Sequence, residues 1–178
     1  MPGPHDWLFV IDLQPGFSNP ASPWFSPALA PAAANIARLV PAFGDRVLFS
    51  RFVPPAEVAG AWQAYYQRWA FARDPANDWM WQVDQPWGDY PSMASHTLSK
   101  WLPEATRHFD PAGEVVICGV STDCCVLATA LAAVDSGQHC RVVADACAAT
   151  PELHAATLAI LKMRAPILRL TDTATELG

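Results

Sequence analysis

"EVVICGVSTDCCVLATALAAVDSGQHCRVVADA" (residues 114–146) decides the fold. It opens on an apolar run, "EVVICGV" (114–120), and closes on another, "CRVVADA" (140–146). Between them "TDCCVLATALAAVDSG" reads as a helix that stops at Gly137, a residue suited to a helix C-terminus. Strand, helix, strand is the signature of two parallel strands joined by a crossover. Both strands are apolar throughout rather than alternating, as strands covered on both faces are. The same rhythm extends outward. "WLFVID" (7–12), "RVLFSRF" (46–52) and "PILRLT" (166–171) read as strands. "PALAPAAANIARLVPAF" (27–43) reads as a helix with Ser26 as N-cap and Pro27 at its first position. "TPELHAATLAILKM" (150–163) opens on Thr150 and Pro151, another helix start. The expectation is a single α/β domain over residues 1–178: a doubly wound, mostly parallel sheet with helices on both faces.

The bulk composition limits what such a domain does. The chain has 178 residues, 52% of them hydrophobic and only 16% charged, which fits one packed core. Its net charge is −6 and it has no block of Lys or Arg, so nucleic acid is not an expected partner. No apolar run approaches the roughly 20 residues of a membrane helix, so no membrane role is expected. The start, "MPGPHDWLFVID", lacks the features of a signal peptide, and a cytoplasmic location is expected. The five cysteines (Cys118, Cys124, Cys125, Cys140, Cys147) are odd in number, and none forms a CxxC pair or has a His at zinc-ligand spacing. A disulfide framework and a zinc site are both poor readings. A ring closed by the neighbours Cys124 and Cys125 would be strained.

Residues 53–95 break the rhythm. "AWQAYYQRWAFARDPANDWMWQVDQPWGDYP" is rich in Trp, Tyr and Pro. Trp62, Tyr65 or Tyr66, and Trp69 fall at helical spacing, giving one aromatic helix face. Such a face serves as core, subunit contact or ligand wall, and more aromatics follow in an irregular stretch.

An open parallel sheet binds ligands beyond the carboxyl ends of its strands. Asp12, Arg51, the segment "GVSTDCC" and Asp145 all reach that edge by position. Singly each is ordinary, since an Asp at a strand end usually serves a turn. The coincidence of Asp12 with a Cys at a helix start is the stronger signal. A helix N-terminus favours a thiolate through its dipole and free N–H groups. Successive helical residues point about 100° apart, so only one of Cys124 and Cys125 can face the edge. The residues alone do not choose between them, and leave open that both are core.

"GVSTDCCVLATA" (119–130) resembles the G-x-x-T-x-x-C-V motif of the isochorismatase-like cysteine hydrolases, a superfamily that includes the nicotinamidases. Gly119, Thr122, Cys125 and Val126 match it. "FVIDLQPGF" (9–17) resembles the family's first strand, and "RVVADACAA" and "HAATLAILK" its closing strand and helix. The resemblance implies a Rossmann-like three-layer fold with Cys125 as nucleophile and Asp12 as acid–base. It implies an acyl-thioester intermediate, an oxyanion hole from the backbone N–H groups of Ser121 and Cys125, and a cis peptide bond between Val120 and Ser121. It also implies a homo-oligomer. Two departures stand out. The family's catalytic Lys falls four residues before a Ser; aligned on Ser99 that position holds Ser95, so the cation is Lys100, or His96 or Arg51 takes its place, or the site is weakened. The family's nicotinamidases carry a metal site after the second strand, where "SRFVPPAEVAGAW" has no His, so no metal and no cofactor are expected. Isochorismatases proper lack the nucleophilic Cys. The reading is therefore a metal-independent amidohydrolase of a small amide, imide or carbamate, with Gln14, Phe17, Trp62, Trp69, Trp79 and Trp101 around the substrate. The alternatives are a small-molecule-binding protein or a redox sensor on the same fold.

Overall fold

The computed structural model describes all residues, 1–178. Six strands form one sheet in the order β3-β2-β1-β4-β5-β6, with every neighbouring pair parallel. They are β1 Trp7–Ile11, β2 Val47–Phe52, β3 Ser92–Ser95, β4 Val115–Val120, β5 Cys140–Ala148 and β6 Leu168–Thr171. The helices are α1 Pro15–Ser18, α2 Leu29–Phe43, α3 Ala61–Arg68, α4 Pro103–Thr106, α5 Leu127–Asp135, α6 Pro151–Lys162 and α7 Thr173–Leu177. The order runs one way from β1 to β3 and the other way from β4 to β6. Right-handed crossovers therefore place α2 on one face of the sheet and α5 and α6 on the other. The reversal lies between β1 and β4, whose carboxyl ends stand side by side.

Burial on both faces explains the unbroken apolar runs. Leu8, Phe9, Val10 and Ile11 on β1, and Val116, Ile117 and Cys118 on β4, are fully buried. One cluster of 34 residues joins these strands to α2, whose Leu29, Ile36, Leu39 and Phe43 face the sheet. Packing of this extent supplies most of the stability such a domain has. No helix is long and apolar enough to cross a membrane.

The doubly wound, parallel reading holds, with local differences. The sheet gains β3, a four-residue edge strand with alternate residues exposed. Helix α2 begins at Leu29, and Ser26 does not cap it. Thr150 and Pro151 do begin α6. Gly137 follows α5 at φ +90°, as an L-residue seldom can. Before α5, Thr122–Val126 forms one wide π-type turn. Such turns recur at functional sites.

Candidate active site

Ile11 and Gly119 are register partners on β1 and β4, so Asp12 leaves β1 beside Val120, the last residue of β4. Their approach requires a glycine. A Cβ on Gly119 would overlap the Ile11 carbonyl, and its φ of +117° is one that side chains avoid. Asp12 itself has φ +49°, a left-handed conformation that Asp tolerates. The peptide bond between Val120 and Ser121 is cis. Beyond it the π-type turn closes on itself, with the Cys124 and Val126 N–H groups both donating to the Ser121 carbonyl.

Asp12 is 0% exposed, and so is Lys100. The Lys100 Nζ lies 3.3 Å from Asp12 Oδ2. Isolated charges at this depth are too costly to keep, so the two require each other. Lys100 reaches this place from the loop after β3. Its N–H donates to Thr129 Oγ1 on α5 at 2.9 Å. Its ammonium donates to the carbonyls of Ser95 (3.2 Å) and Thr97 (2.8 Å), and stands 5.0 Å from the centre of the Phe52 ring. Ser50 holds the other side of Asp12, its hydroxyl donating to Oδ1 at 2.7 Å and accepting from the Asp12 N–H at 3.1 Å. Oδ2 accepts no hydrogen bond within the protein. It has the Lys100 charge beside it and a lone pair free for a proton.

Cys125 sits in the turn, buried, and Cys124 beside it is partly exposed. The neighbouring Cys124 thiol, burial and the Asp12 carboxylate push the Cys125 thiol well above its ordinary value, while Lys100 pulls it down. The helix start had suggested a resting thiolate at this place. The Cys124 thiol, burial and the Asp12 carboxylate together favour the protonated thiol instead. Cys118, Cys140 and Cys147 are fully core, each pushed up by burial.

A cavity of about 360 Å³ opens onto both cysteines. Its walls are Phe17, Trp24, Phe52, Tyr65, Trp69, Leu98 and Val120, with Ser26, Ser121 and Asp123 as its polar rim. Trp24 organises the walls: it stacks on Phe17 at 5.9 Å and meets Phe52, Tyr65, Trp69, Phe71 and Trp81 at tilted or edge angles within 6.1 Å. Burial pushes the Tyr65 hydroxyl up, with smaller contributions from Cys124, Tyr66 and Cys125.

The structure brings together Asp12, Lys100, Ser121 and Cys125, with Phe17 and Trp69 in the wall. Four expected wall residues lie elsewhere. Gln14 is fully buried and spent on the backbone, pairing with the Phe52 N–H (2.7 Å) and carbonyl (3.1 Å) to pin β1 to β2. Trp62 packs on Tyr65, Tyr66 and His96 behind the wall. Trp101 stacks on Phe109 and donates to Ser136 Oγ at 2.8 Å, under the sheet. Trp79 is exposed on the surface. The alternative cations are also elsewhere: Arg51 turns to the Trp81 carbonyl and Gln82, and His96 packs against Trp62. Asp145 accepts from Thr173 of α7. Ser95, the aligned position of the family Lys, bonds Thr97 through its hydroxyl and offers Lys100 its carbonyl. Sequence reasoning missed Trp24, Ser50 and Leu98. A Ser at the middle of β2 has one signal, a hydroxyl in an otherwise apolar run.

No three His, Cys, Asp or Glu side chains gather closely enough to hold a metal ion, and the segment after β2 offers only Glu57. The residues present do not fit a metal centre there.

Comparison with known proteins places this site in context. No curated protein matches the chain. Among solved structures it is similar to a cysteine hydrolase from Pseudomonas syringae pv. phaseolicola 1448A, with TM-score 0.80 and 18% identity over 96% of this chain and 90% of that one. It is similar to an isochorismatase family protein from Desulfovibrio vulgaris, with TM-score 0.76 and 18% identity over 96% and 95% of the two chains. It is also similar to the pyrazinamidase of Pyrococcus horikoshii, solved in complex with zinc, with TM-score 0.69 and 20% identity over 95% and 99%. At these identities the likeness is one of fold. The model of the isochorismatase domain matches residues 6–175, nearly the whole chain, and on that match the protein belongs to the isochorismatase family.

Proposed function

We propose that the protein is a cysteine hydrolase that cleaves the C–N bond of a small amide, imide or carbamate without a metal. The observation that carries this is the fully buried Asp12–Lys100 pair acting on Cys125 at the base of an aromatic cavity. Asp12 Oδ2 takes the Cys125 proton as sulfur attacks the acyl carbon. Lys100 holds Asp12 in place through the 3.3 Å ion pair, and Ser50 fixes its rotation. The N–H groups of Ser121 and Cys125 receive the developing oxyanion. Asp12 returns the proton to the leaving nitrogen, the amine departs, and water hydrolyses the Cys125 thioester with Asp12 again as base. The buried Lys100 cation beside Asp12 supports the catalytic reading over a non-catalytic binding protein.

The test is to trap the thioester. A panel of aromatic and aliphatic amides, imides and carbamates is incubated with the protein, quenched in acid, and the 121–126 region read by peptide mass spectrometry. An acyl adduct on Cys125 that is absent in Asp12→Asn is expected. Adducts on neither cysteine with any member, or equal adducts on Cys124, would overturn the assignment. One observation favours a second reading: Cys124 and Cys125 face the same cavity. Reversible loss of both thiols under dilute peroxide, with no amide turned over, would make the protein a redox sensor.

A further inference from the structure

Beside the aromatic cavity lies a second one of about 350 Å³. The two share Trp24, Ser26, Ser121 and Asp123, so only the Ser121–Asp123 ridge separates them. The second cavity does not touch either cysteine. Its far walls are Phe25, Leu153, Ala149 and Pro151, from the loop before α2 and the start of α6. Phe25 is 39% exposed and Leu153 49%, a pair of large apolar side chains open to solvent next to the candidate catalytic turn. Lone exposed apolar residues need no explanation, but two that wall a cavity beside the candidate nucleophile's own do.

Resting on the function proposed above, we infer that the substrate is an N-substituted amide or carbamate whose apolar nitrogen substituent occupies this second cavity. The acyl half stays bonded to Cys125 through the thioester, and Cys125 lines the aromatic cavity but not the second one. The amine half must leave, and the second cavity begins directly across the Ser121–Asp123 ridge from the thioester. The ridge carries one carboxylate, Asp123, whose Oδ1 accepts from Ser121 Oγ at 2.9 Å. It can accept the single N–H of a secondary amide. In balance, R–CO–NH–R′ and the Cys125 thiol give the thioester and R′–NH₂: the C–N bond breaks, a C–S bond forms, and the thiol proton passes through Asp12 to nitrogen. Water then gives R–COOH and the free thiol. The product is an alkyl or aryl amine, not ammonia.

The test uses the whole chain and two alkylating probes, iodoacetamide and N-hexyl iodoacetamide, with rates at Cys125 resolved by tandem mass spectrometry and scaled to glutathione. The hexyl probe is expected to react about tenfold faster or more relative to iodoacetamide, the gain that a few buried methylenes bring. Leu153→Ala, Leu153→Glu and Phe25→Ser are each expected to reduce that ratio severalfold. A ratio equal to that of glutathione overturns the inference. So does a high ratio that the three variants leave intact, since the chain would then lie in the aromatic cavity. If the variants instead lower the sedimenting mass, the patch joins two copies of this chain and the inference fails. No adduct at Cys125 with either probe overturns the nucleophile assignment itself, and this inference with it.

Discussion

Lys100→Met and Asp12→Asn, alone and together, measure the buried pair directly. Both side chains are 0% exposed, and the charges are 3.3 Å apart. With an effective dielectric of about 20, two unit charges at that distance attract by about 5 kcal/mol. Removing one partner of a buried pair costs about 3–5 kcal/mol, because the other charge stays behind without its counterion. Met keeps the length of Lys, and Asn accepts the φ of +49° at residue 12 and the Ser50 hydroxyl. The carbonyls of Ser95 and Thr97 lose a donor in both Lys100→Met proteins, so that cost cancels in the cycle. Urea unfolding of the four proteins is the assay. Each single variant is expected to lose about 3 kcal/mol or more, and the double variant much less than the sum, leaving a coupling of about 3–5 kcal/mol. A coupling under about 1 kcal/mol, the value of an exposed pair, would refute a dry, mutually dependent pair, and with it the role given to Lys100.

Three further outcomes follow from the geometry. Asp12 raises the Cys125 thiol and Lys100 lowers it, so Asp12→Asn is expected to speed alkylation of Cys125 at neutral pH while abolishing hydrolysis, and Lys100→Met to slow both; parallel loss of both activities in Asp12→Asn would contradict this. Gly119→Ala, which sets a methyl group against the Ile11 carbonyl, is expected to cost about 3 kcal/mol or more and to be read as a lower urea midpoint; an unchanged midpoint would show that β1 and β4 can part. Burial alone would raise Asp6, but the Glu114 N–H, Arg141 and the Gly3 N–H outweigh it and hold Asp6 low; burial is likewise outweighed at Glu114 by Arg169 and Arg141. Groups lowered in the folded state add stability above their unfolded values of 3.8 and 4.5, and lose it as pH falls through the folded ones. Thermal melts from pH 6 down to pH 2.5 are therefore expected to fall steeply in wild type and less so in Arg141→Gln; equal slopes would remove the network from the acid limb.

The central strands, and the meeting of Asp12 with the two-cysteine turn, were legible because burial on both faces leaves unbroken apolar runs, and because a doubly wound sheet offers one place where strand ends meet; the choice of Cys125 over Cys124 came from the family resemblance alone. β3 was not legible. "SMAS" is an edge strand of four small or flexible residues, and half of it faces water, so it carries no apolar run. Trp24 was missed because "SNPASPWFS" has no period; its importance comes from six rings that converge on it from distant parts of the chain. Lys100 was doubtful because fixed spacing from Ser99 says nothing of where a long side chain bends. Here it folds back beneath the Ser95 and Thr97 carbonyls to reach Asp12. Gln14, Trp62 and Trp101 show the opposite failure. Each was placed around the substrate, while the structure gives each its partners elsewhere in the fold.

The division of labour between sheet and loops has a consequence for descent. Asp12, Ser50 and the turn after Gly119 hang from three adjacent strands in fixed register, and a shift in any one misaligns the others. Most of the ring-bearing wall comes from the loop holding Trp24 and from Tyr65 and Trp69, in and just after α3, which meet the sheet around Phe52. Lineages built this way can exchange the wall while the reaction stays the same. Relatives that share the strand ends are then expected to differ mainly in what they accept, and a transplant of residues 17–26 together with 53–91 between two of them should carry preference across without moving the reacting groups.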